Sequence, residues 1–293
     1  MMQIFFLGTG GGSPSEKRRL PAFLIRKEGL NILLDCGEGT QYTLMNYRLG
    51  INSIKIIGIT HLHGDHSYGL LGLIASMGLL DRRETLYMIG PNGLKEFLFT
   101  AFEYSKFNPQ FKIEFINEYE DKEIKITKFK TCHTIESNGF LISEKEKINI
   151  DEEKLKKEGI KDWRVIRMLK EGKTVEYNKK TLKPEDFLIH KKGISIAYTG
   201  DTAYCESVID SVKGVNLLIH ESTFLYEPAN EYGHSNVFDA ARVAYEASVK
   251  QLALTHISSR YNDTTQFIKE AKKIFPSVTL PDDLSYIILK NKY

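Results

Sequence analysis

The sequence predicts an α/β protein with more than one β-sheet, and two patterns along the chain lead to that fold class. Short runs rich in β-branched and aromatic residues recur from end to end, mostly bounded by Gly, Pro, Asn or Asp. Such runs are typical of strands. Helical patterns lie between some of these runs. Many strands mixed with helices indicate an α/β architecture with several sheets.

The strand and helix predictions follow in chain order. The predicted strands are Gln3–Leu7, Ala22–Arg26, Asn31–Leu34, Ile54–Ile59, Thr85–Ile89, Lys112–Phe115, Ile124–Phe129, Gly139–Ile142, Ile194–Tyr198, Val215–Ile219, Leu252–Leu254 and Tyr286–Leu289. The better helix patterns are Glu38–Arg48, Tyr68–Met77, Leu94–Tyr104, Asn236–Ala247 and Thr265–Lys273.

Composition agrees with one large globular domain over residues 1–293. Apolar residues make up 42 % of the chain, charged residues 27 %, and the formal net charge is +2. This balance excludes a disordered or collagen-like chain and leaves ample residues for a core. No run of 18 apolar residues occurs, so neither a membrane span nor a membrane partner is expected. The first residues lack a charged leader, and three cysteines fit a reducing cytoplasm.

One segment differs in charge from the rest of the chain. Residues 154–183 contain eleven Lys or Arg and four Asp or Glu, a net charge of +7, which leaves −5 on all other residues. The segment also holds Trp163, the single tryptophan. It is either a solvated pair of surface helices or a basic arm that contacts phosphates.

The strongest chemical signal is a histidine-rich motif directly after the predicted strand Ile54–Ile59. Four metal-competent side chains fall within six residues: His61, His63, Asp65 and His66. Imidazole and carboxylate are the ligands expected for zinc in hydrolytic sites. His61 and His63 alternate and face one point, and the turn at Gly64 directs the other two to a neighbouring point. This arrangement predicts two metals.

The motif resembles the signature of the metallo-β-lactamase superfamily, whose fold is an αββα sandwich of two mixed β-sheets flanked by helices. Later residues fit the ligand order of that superfamily, each just past a predicted strand: His133, Asp201 and His256. The resemblance implies two Zn²⁺ per chain. His61, His63 and His133 would hold one, Asp65, His66 and His256 the other, and Asp201 would bridge them. Cys132 and Cys205 neighbour these ligands and are expected to be core or outer residues.

Further motifs resemble the ribonuclease Z family, which removes 3′ trailers from precursor tRNA. They cover nearly the whole chain and comprise Phe6–Pro14, Leu34–Gln41, Ser67–Leu73, His220–Phe224, Tyr232–Ser235 and Thr255–Tyr261. The resemblance implies an endoribonuclease in which hydroxide attacks a phosphodiester and leaves a 3′-hydroxyl on the tRNA. The alternatives are another dizinc hydrolase acting on a small phosphodiester or thioester, a 3′ exoribonuclease, and a non-catalytic RNA-binding relative. The glycine-rich opening matches a dinucleotide-binding fingerprint only weakly, because Ser13 occupies the position of its third glycine.

The same resemblance assigns roles to further residues. Asp65 would orient the hydroxide or take its proton, His234 would act as general acid, and Glu221 would hold the His234 imidazole. Residues 146–187 would form an inserted basic arm that binds tRNA and implies a homodimer. The candidate RNA-binding residues are Arg18, Lys154, Lys156, Lys157, Arg164, Arg167, Lys170 and Lys173.

Overall fold

The computed structural model describes residues 1–290, which divide into two compact units. The larger unit, called the body, comprises residues 1–121, 125–143 and the chain from 194 onward. The smaller unit, called the arm unit, comprises residues 122–124 and 144–193. Among the described residues, no helix combines the length and the apolar character needed to cross a bilayer.

Twenty strands are described. They are β1 (Met2–Gly8), β2 (Gly10–Gly11), β3 (Ala22–Lys27), β4 (Leu30–Leu34), β5 (Ile54–Gly58), β6 (Leu86–Ile89), β7 (Ile113–Phe115), β8 (Tyr119–Glu120), β9 (Ile124–Lys130), β10 (Asn138–Glu144), β11 (Lys147–Ile150), β12 (Val175–Tyr177), β13 (Lys180–Leu182), β14 (Leu188–Lys191), β15 (Ser195–Tyr198), β16 (Leu217–Glu221), β17 (Leu252–Thr255), β18 (Ile257–Ser258), β19 (Val278–Thr279) and β20 (Tyr286–Leu289).

Nine α-helices accompany them. They are α1 (Thr40–Asn46), α2 (Gly64–Ser67), α3 (Gly69–Leu79), α4 (Leu94–Ser105), α5 (Glu152–Lys157), α6 (Trp163–Lys170), α7 (Glu206–Ser211), α8 (Val237–Glu246) and α9 (Thr265–Ala271). Short 3-10 helices cover Ile51–Ser53, Pro184–Asp186 and Ala229–Tyr232. All five predicted helices are present within a few residues. Helices α5 and α6 lie in the basic segment, for which a pair of surface helices was one of two interpretations. Helices α2 and α7 were not predicted, because neither exceeds two turns.

The body contains two seven-stranded sheets, in the orders β20-β1-β3-β4-β5-β6-β7 and β19-β17-β16-β15-β10-β9-β8. Both are mixed. In the first, β4, β5, β6 and β7 are parallel, while β1 pairs antiparallel with β3 and β20. In the second, β15, β16, β17 and β19 are parallel and β10 pairs antiparallel with β15.

The two sheets face each other across a buried layer of aromatic residues. Phe23 of β3 lies against Tyr198 of β15, with ring centroids 4.7 Å apart. Gly58 of β5 leaves room for the ring of Phe140, because a Cβ at that glycine would come within 2.9 Å of the ring. One apolar cluster joins the first sheet to α1, α3 and α4, and another joins the second sheet to α7, α8 and α9. The predicted sandwich of two mixed sheets flanked by helices is confirmed.

The predicted site residues follow the carboxyl ends of parallel strands in both sheets. His61 follows the end of β5, Asp201 follows β15, and His256 directly follows β17. The carboxyl ends of parallel strands lie at one sheet edge, so side chains just beyond them are brought together. The loop after β9 supplies His133.

The arm unit has a core of its own. Seven buried side chains from α5, α6, the β12–β13 hairpin and the connecting segments pack together: Leu155, Ile160, Val165, Leu169, Val175, Leu182 and Phe187. Strands β11 and β14 pair antiparallel at its base, with Ile150 opposite Leu188. The arm unit extends a few residues beyond both ends of the arm expected from the sequence, residues 146–187.

Candidate metal centre

Three imidazoles converge at the first group of predicted ligands. His63 Nδ1 lies 3.1 Å from His61 Nε2 and 3.1 Å from His133 Nε2. His61 is fully buried, and the His133 side chain is 1 % exposed. The loop after β5 and the loop after β9 therefore bring their ring nitrogens to one point.

A second group lies beside the first. His66 Nε2 is 3.2 Å from His256 Nε2, and Asp65 Oδ2 is 3.4 Å from the same His256 nitrogen. His66 belongs to the short helix α2, which begins at Gly64. The turn at Gly64 thus directs Asp65 and His66 to a point distinct from that of His61 and His63.

Asp201 lies between the two groups. Its Oδ1 is 3.2 Å from both His66 Nε2 and His256 Nε2. Its Oδ2 is 3.6 Å from His61 Nε2 and 3.9 Å from His133 Nε2. Oδ1 is buried and accepts no hydrogen bond of good geometry from the described residues. A buried carboxylate oxygen left in this state among ring nitrogens is placed to bind a cation.

The donor set fits divalent metal ions. Neighbouring nitrogens about 3.2 Å apart are close to the spacing expected around a four-coordinate ion with bonds of about 2.0–2.1 Å. Three groups of side chains bring their possible ligand atoms within 4.8 Å of one another: His61, His63, His133 and Asp201; Asp65, His66 and His256; and Asp201, His234 and His256. Imidazole and carboxylate are the ligands of hydrolytic metal sites.

Four of the five imidazoles are oriented by a contact at Nδ1 that leaves Nε2 facing the centre. Such outer contacts fix the tautomer and the direction of a ligand. The pairs are His61 with Thr60 Oγ1 (2.9 Å), His66 with Asp35 Oδ2 (2.7 Å), His133 with Gly233 O (2.6 Å) and His256 with Thr223 Oγ1 (2.8 Å).

Asp35 is the most heavily bonded of these outer residues. Its buried carboxylate also accepts from Thr60 N at 2.8 Å, Thr60 Oγ1 at 2.9 Å and Tyr198 Oη at 2.6 Å. Sequence reasoning assigned Asp35 no role, although it lies in the motif Leu34–Gln41. Asp35 (φ 55°) and His256 (φ 57°) both adopt the left-handed region that non-glycine residues rarely occupy. The fold thus holds backbone strain at His256 and at Asp35, which orients His66.

The charge states of His61 and Asp65 suit metal binding. Burial and the neighbouring His66 lower the pKa of His61 to about 2, so its imidazole is neutral and its lone pair available. Burial would raise the pKa of Asp65, but the hydrogen bond from His256 and the charges of His66 and His256 hold it below its usual range. Asp65 is therefore ionised at neutral pH.

The glycine-rich opening packs against the centre. Gly12 N donates to Asp65 Oδ2 at 2.7 Å. A Cβ at Gly11 would collide with the His256 ring, so only glycine permits this approach. Strand β2 pairs in parallel with β18, which follows His256. These contacts explain the glycine run without a dinucleotide.

Glu221 and His234 form a pair beside the ligand cluster. His234 Nδ1 lies 2.9 Å from Glu221 Oε1 and 3.8 Å from Asp201 Oδ2. Thr202 N donates to Glu221 Oε1 at 2.8 Å and fixes the buried carboxylate. Burial alone would lower the pKa of His234, but the hydrogen bond and charge of Glu221 raise it to about 9.

Comparison with known proteins identifies the family. Residues 2–165 match a family model described as anti-Pycsar protein Apyc1, and residues 167–257 match the β-lactamase superfamily domain. A ribonuclease Z from Saccharolobus islandicus (strain M.14.25 / Kamchatka #1) is 74 % identical over 291 residues, covering 99 % of this chain and all of that protein. The chain belongs to the ribonuclease Z family.

Two further relatives agree with that assignment. A ribonuclease Z from Sulfurisphaera tokodaii is 57 % identical over 293 residues and covers both chains fully. The crystal structure of the short form of human tRNase Z superposes with a TM-score of 0.72 at 27 % identity, covering 98 % of this chain and 99 % of that one. Ribonuclease Z enzymes are hydrolytic endoribonucleases, and this chain is one of them.

In this ribonuclease Z chain a disulfide joins the two loops that carry His133 and Asp201. Cys132 and Cys205 form the bond, and Cys36 stays a buried free thiol. Ala203 N also donates to Cys132 O at 2.6 Å. From the sequence, both cysteines were expected to lie in the core or around the ligands without a bond between them. The bond could not be predicted, because the two cysteines are 73 residues apart and only the fold brings them together. The number of cysteines therefore does not indicate a reducing compartment for this chain.

Removing this disulfide is expected to lower stability without unfolding the body. Closing a loop across 73 residues lowers the entropy of the unfolded chain, which contributes about 4 kcal/mol to the free energy of unfolding. Cys132→Ser combined with Cys205→Ser should lose about that amount in denaturant titration, and reductant should then have no further effect. Three thiols titrating in denatured, unreduced protein, instead of one, would refute the bond.

Arg18 is placed differently from the other candidate RNA-binding residues. It is 8 % exposed, and its guanidinium donates to Thr9 Oγ1 and to Pro281 O, with Asp282 at 3.4 Å. Arg18 thus ties the opening loop to the C-terminal part of the body. This placement does not favour the predicted contact with RNA.

The arm candidates divide into two sets. Lys154 is 3.8 Å from Asp186, whereas Arg167 and Lys173 both pair with Glu171 at 2.9 and 2.8 Å. For the remaining four, no acidic partner lies within 4.0 Å among residues 1–290; they are Lys156, Lys157, Arg164 and Lys170. These four present the least compensated positive charge.

Proposed function

We propose that the chain cuts precursor tRNA endonucleolytically, releases the 3′ trailer and leaves a 3′-hydroxyl on the tRNA. The observation that carries this proposal is the Glu221–His234 pair held 3.8 Å from the shared carboxylate Asp201. Hydrolysis of a ribose 3′-ester needs a proton donor at the leaving oxygen, and this pair supplies one beside the ligand cluster.

The proposed ligands are those that converge in the structure. His61, His63 and His133 would hold one Zn²⁺ and Asp65, His66 and His256 the other, with Asp201 shared between them. Bound there, the two ions would lower the pKa of an attacking water and neutralise the phosphoryl oxygens. Zinc is proposed because the centre is rich in imidazole, which zinc accepts in four-coordinate sites.

Asp65 would orient the attacking water as well as bind metal. Its Oδ2 is held by the Gly12 N–H at 2.7 Å, so the direction of the carboxylate is fixed before substrate arrives. Its pKa lies below the usual range, which makes Asp65 a weak base. Of the two roles that the resemblance implies, the orienting role is therefore the better supported.

His234 would protonate the leaving 3′ oxygen through Nε2. Its Nδ1 faces Glu221, and no described residue forms a hydrogen bond with Nε2. The side chain as a whole is 19 % exposed. Glu221 acts as a positioning residue that stabilises the protonated imidazole.

The decisive experiment uses a tRNA with a 3′ trailer. The chain, reconstituted with Zn²⁺, should cut once near the discriminator and give a 3′-hydroxyl on the tRNA and a 5′-phosphate on an intact trailer. Stepwise release of mononucleotides would instead show a 3′ exoribonuclease. Hydrolysis of bis-nitrophenyl phosphate or a thioester with no RNA cleavage would show a small-molecule hydrolase. Metal analysis of the same sample checks the expected two zinc ions per chain.

We further propose that the arm unit binds the tRNA through phosphate contacts that take no part in the reaction. Its segment 154–183 carries a net charge of +7. Phosphate contacts supply much of the affinity for a nucleic acid and fix its register. The arm has its own buried core, so its charged side chains are presented by a folded surface.

Deleting residues 151–187 should raise KM for precursor tRNA by about tenfold or more at physiological salt, because several phosphate contacts are lost. Hydrolysis of a small phosphodiester should be spared. Ile150 and Leu188 face each other across the β11–β14 pair, so an Asn-Gly turn can join the cut ends. The measurement is steady-state kinetics at several salt concentrations.

A matched pair of variants controls for folding. Alanine at Lys156, Lys157, Arg164 and Lys170 should reproduce much of the KM effect and flatten its salt dependence. Alanine at four exposed lysines of the body, Lys106, Lys250, Lys269 and Lys272, should not. Two results would show that the arm has only a structural role. One is an equal rise in KM for precursor tRNA from both sets of alanine substitutions. The other is a deletion variant that loses as much activity on the small phosphodiester as on the tRNA.

A homodimer and a cytoplasmic location complete the proposal. The dimer is inferred from the family resemblance, because in that family such an arm often acts for the second subunit. The location rests on the substrate, since precursor tRNA is made and processed inside the cell. The disulfide is compatible with it, because intracellular proteins of some hyperthermophiles carry such bonds. Light scattering coupled to gel filtration checks the dimer.

A further inference from the structure

Tyr68 is an exposed aromatic residue at the rim of the metal centre. It lies two residues after His66 and is 62 % exposed. Its ring rests on Gly64, since a Cβ there would meet the ring Cε2 at 2.5 Å. Gly64 separates His63 from Asp65, which belong to the two ligand groups. The ring therefore borders the loop that supplies four of the seven ligands.

A second aromatic residue supports this ring from within the body. Phe97 of α4 stacks on Tyr68 with centroids 6.3 Å apart and planes inclined by 15°. Phe97 and Leu62 are partly buried and pack against the core cluster around α3 and α4. An offset, nearly parallel pair of this kind is a favourable aromatic geometry. Tyr68 is thus held in a defined orientation although most of its surface is open to solvent.

The Tyr68 side chain has no structural hydrogen bond to explain its position. Among residues 1–290, no partner accepts from or donates to its hydroxyl, and its backbone N–H makes the local contact to Gly64 O at 3.0 Å. An oriented, exposed ring beside phosphodiester chemistry has the properties of a base-stacking platform. Proteins bind single-stranded RNA in this way, because every base offers a π-face.

The position of the ring indicates which nucleotide it would meet. His234, the proposed acid for the leaving 3′ oxygen, has ring contacts with His133 and His256. Tyr68 has a ring contact with Phe97 and, within the described chain, with none of those three histidines. His234 thus borders the ligand cluster at His133 and His256, whereas Tyr68 borders it at the Gly64 turn. The nucleotide that keeps the phosphate is the first of the trailer.

We propose that Tyr68, supported by Phe97, stacks on the base of the first trailer nucleotide and so positions the single strand across the metal centre. This subsite rests on the proposed cleavage of precursor tRNA. It predicts that cleavage depends on the presence of a base at that position and tolerates its identity, because stacking is insensitive to sequence.

The test is a double-mutant cycle between enzyme and substrate. Tyr68→Ala should lower kcat/KM for precursor tRNA by about 5- to 100-fold, which corresponds to the worth of one stacked base. Tyr68→Phe should retain activity close to that of the natural chain, and Tyr104→Ala, an equally drastic change at an exposed position of α4, should have no effect. A precursor with an abasic first trailer nucleotide should lose a similar factor with the natural chain and nothing further with Tyr68→Ala.

Each other outcome contradicts the subsite. Additive losses from Tyr68→Ala and the abasic substrate would show that ring and base do not interact. If Tyr68→Ala were instead non-additive with an abasic last nucleotide of the tRNA, the ring would stack on the tRNA side of the cleaved bond and not on the trailer. Failure of Tyr68→Phe to restore activity would assign the effect to the hydroxyl. If the natural chain cuts no precursor, the proposed reaction fails and this subsite with it; additive losses in a chain that cuts would overturn the subsite alone.

Discussion

His234→Ala will lower kcat for precursor tRNA by about 10²- to 10⁴-fold, the usual contribution of a positioned general acid, while both metal ions are retained. The loss is expected because His234 Nδ1 is engaged by Glu221, leaving Nε2 as the nearest proton donor for the ribose oxygen. Turnover of the precursor and metal content per chain are the two measurements.

A second substrate separates acid catalysis from a structural role. Nitrophenolate leaves without a proton, so hydrolysis of a nitrophenyl phosphodiester should fall far less than cleavage of RNA in His234→Ala. Glu221→Gln should show the same selectivity in weaker form, since it removes the charge that stabilises the protonated imidazole. Equal losses on both substrates, or loss of metal from His234→Ala, would contradict the assignment.

Asp201→Asn will abolish binding of at least one metal ion and reduce cleavage by more than about 10³-fold. The carboxylate spans both ligand groups, with Oδ1 3.2 Å from His66 and His256 and Oδ2 3.6 Å from His61. An amide keeps the shape but supplies neither the charge nor two equivalent oxygens to shared cations. Metal stoichiometry after dialysis and kcat on precursor tRNA measure the effect.

Asp210→Asn is the matched control, because Asp210 is an exposed carboxylate of α7 in the same segment of chain. It should bind two ions and cleave normally. If Asp201→Asn also retains two ions with unchanged affinity, the shared position of Asp201 is wrong.

The sequence was most informative where structure is local. The spacing of His61, His63, Asp65 and His66 after a strand depends on alternation and on one turn at Gly64, and both are set within a few residues. Twelve of the fourteen strands of the two sheets were predicted closely for the same reason, and the two-residue strands β8 and β19 were missed. Helix α7, which spans Glu206–Ser211, was missed, since a six-residue segment has little periodicity to detect.

Contacts between distant segments could not be found in this way. Asp35 and His66 are 31 residues apart, Thr223 and His256 are 33 apart, and Cys132 and Cys205 are 73 apart. Nothing in the pattern around Asp35 indicates that its carboxylate will orient a histidine. Arg18 shows the converse case, in which a basic residue in an apparent loop becomes buried by bonding to Pro281 O.

The sequence by itself predicted an α/β fold with several sheets, because periodicity is a property of short segments. Its motifs resemble those of the family, and that resemblance implied the αββα sandwich and the order of the seven converging side chains. Only the tertiary structure decided how those side chains are oriented. The Nδ1 partners of His66, His133 and His256, the disulfide between the His133 and Asp201 loops, and the support of Tyr68 by Phe97 all join segments far apart in the chain. Folding alone brings such segments into contact, and the entropy of closing those loops is offset by the packing of the whole body.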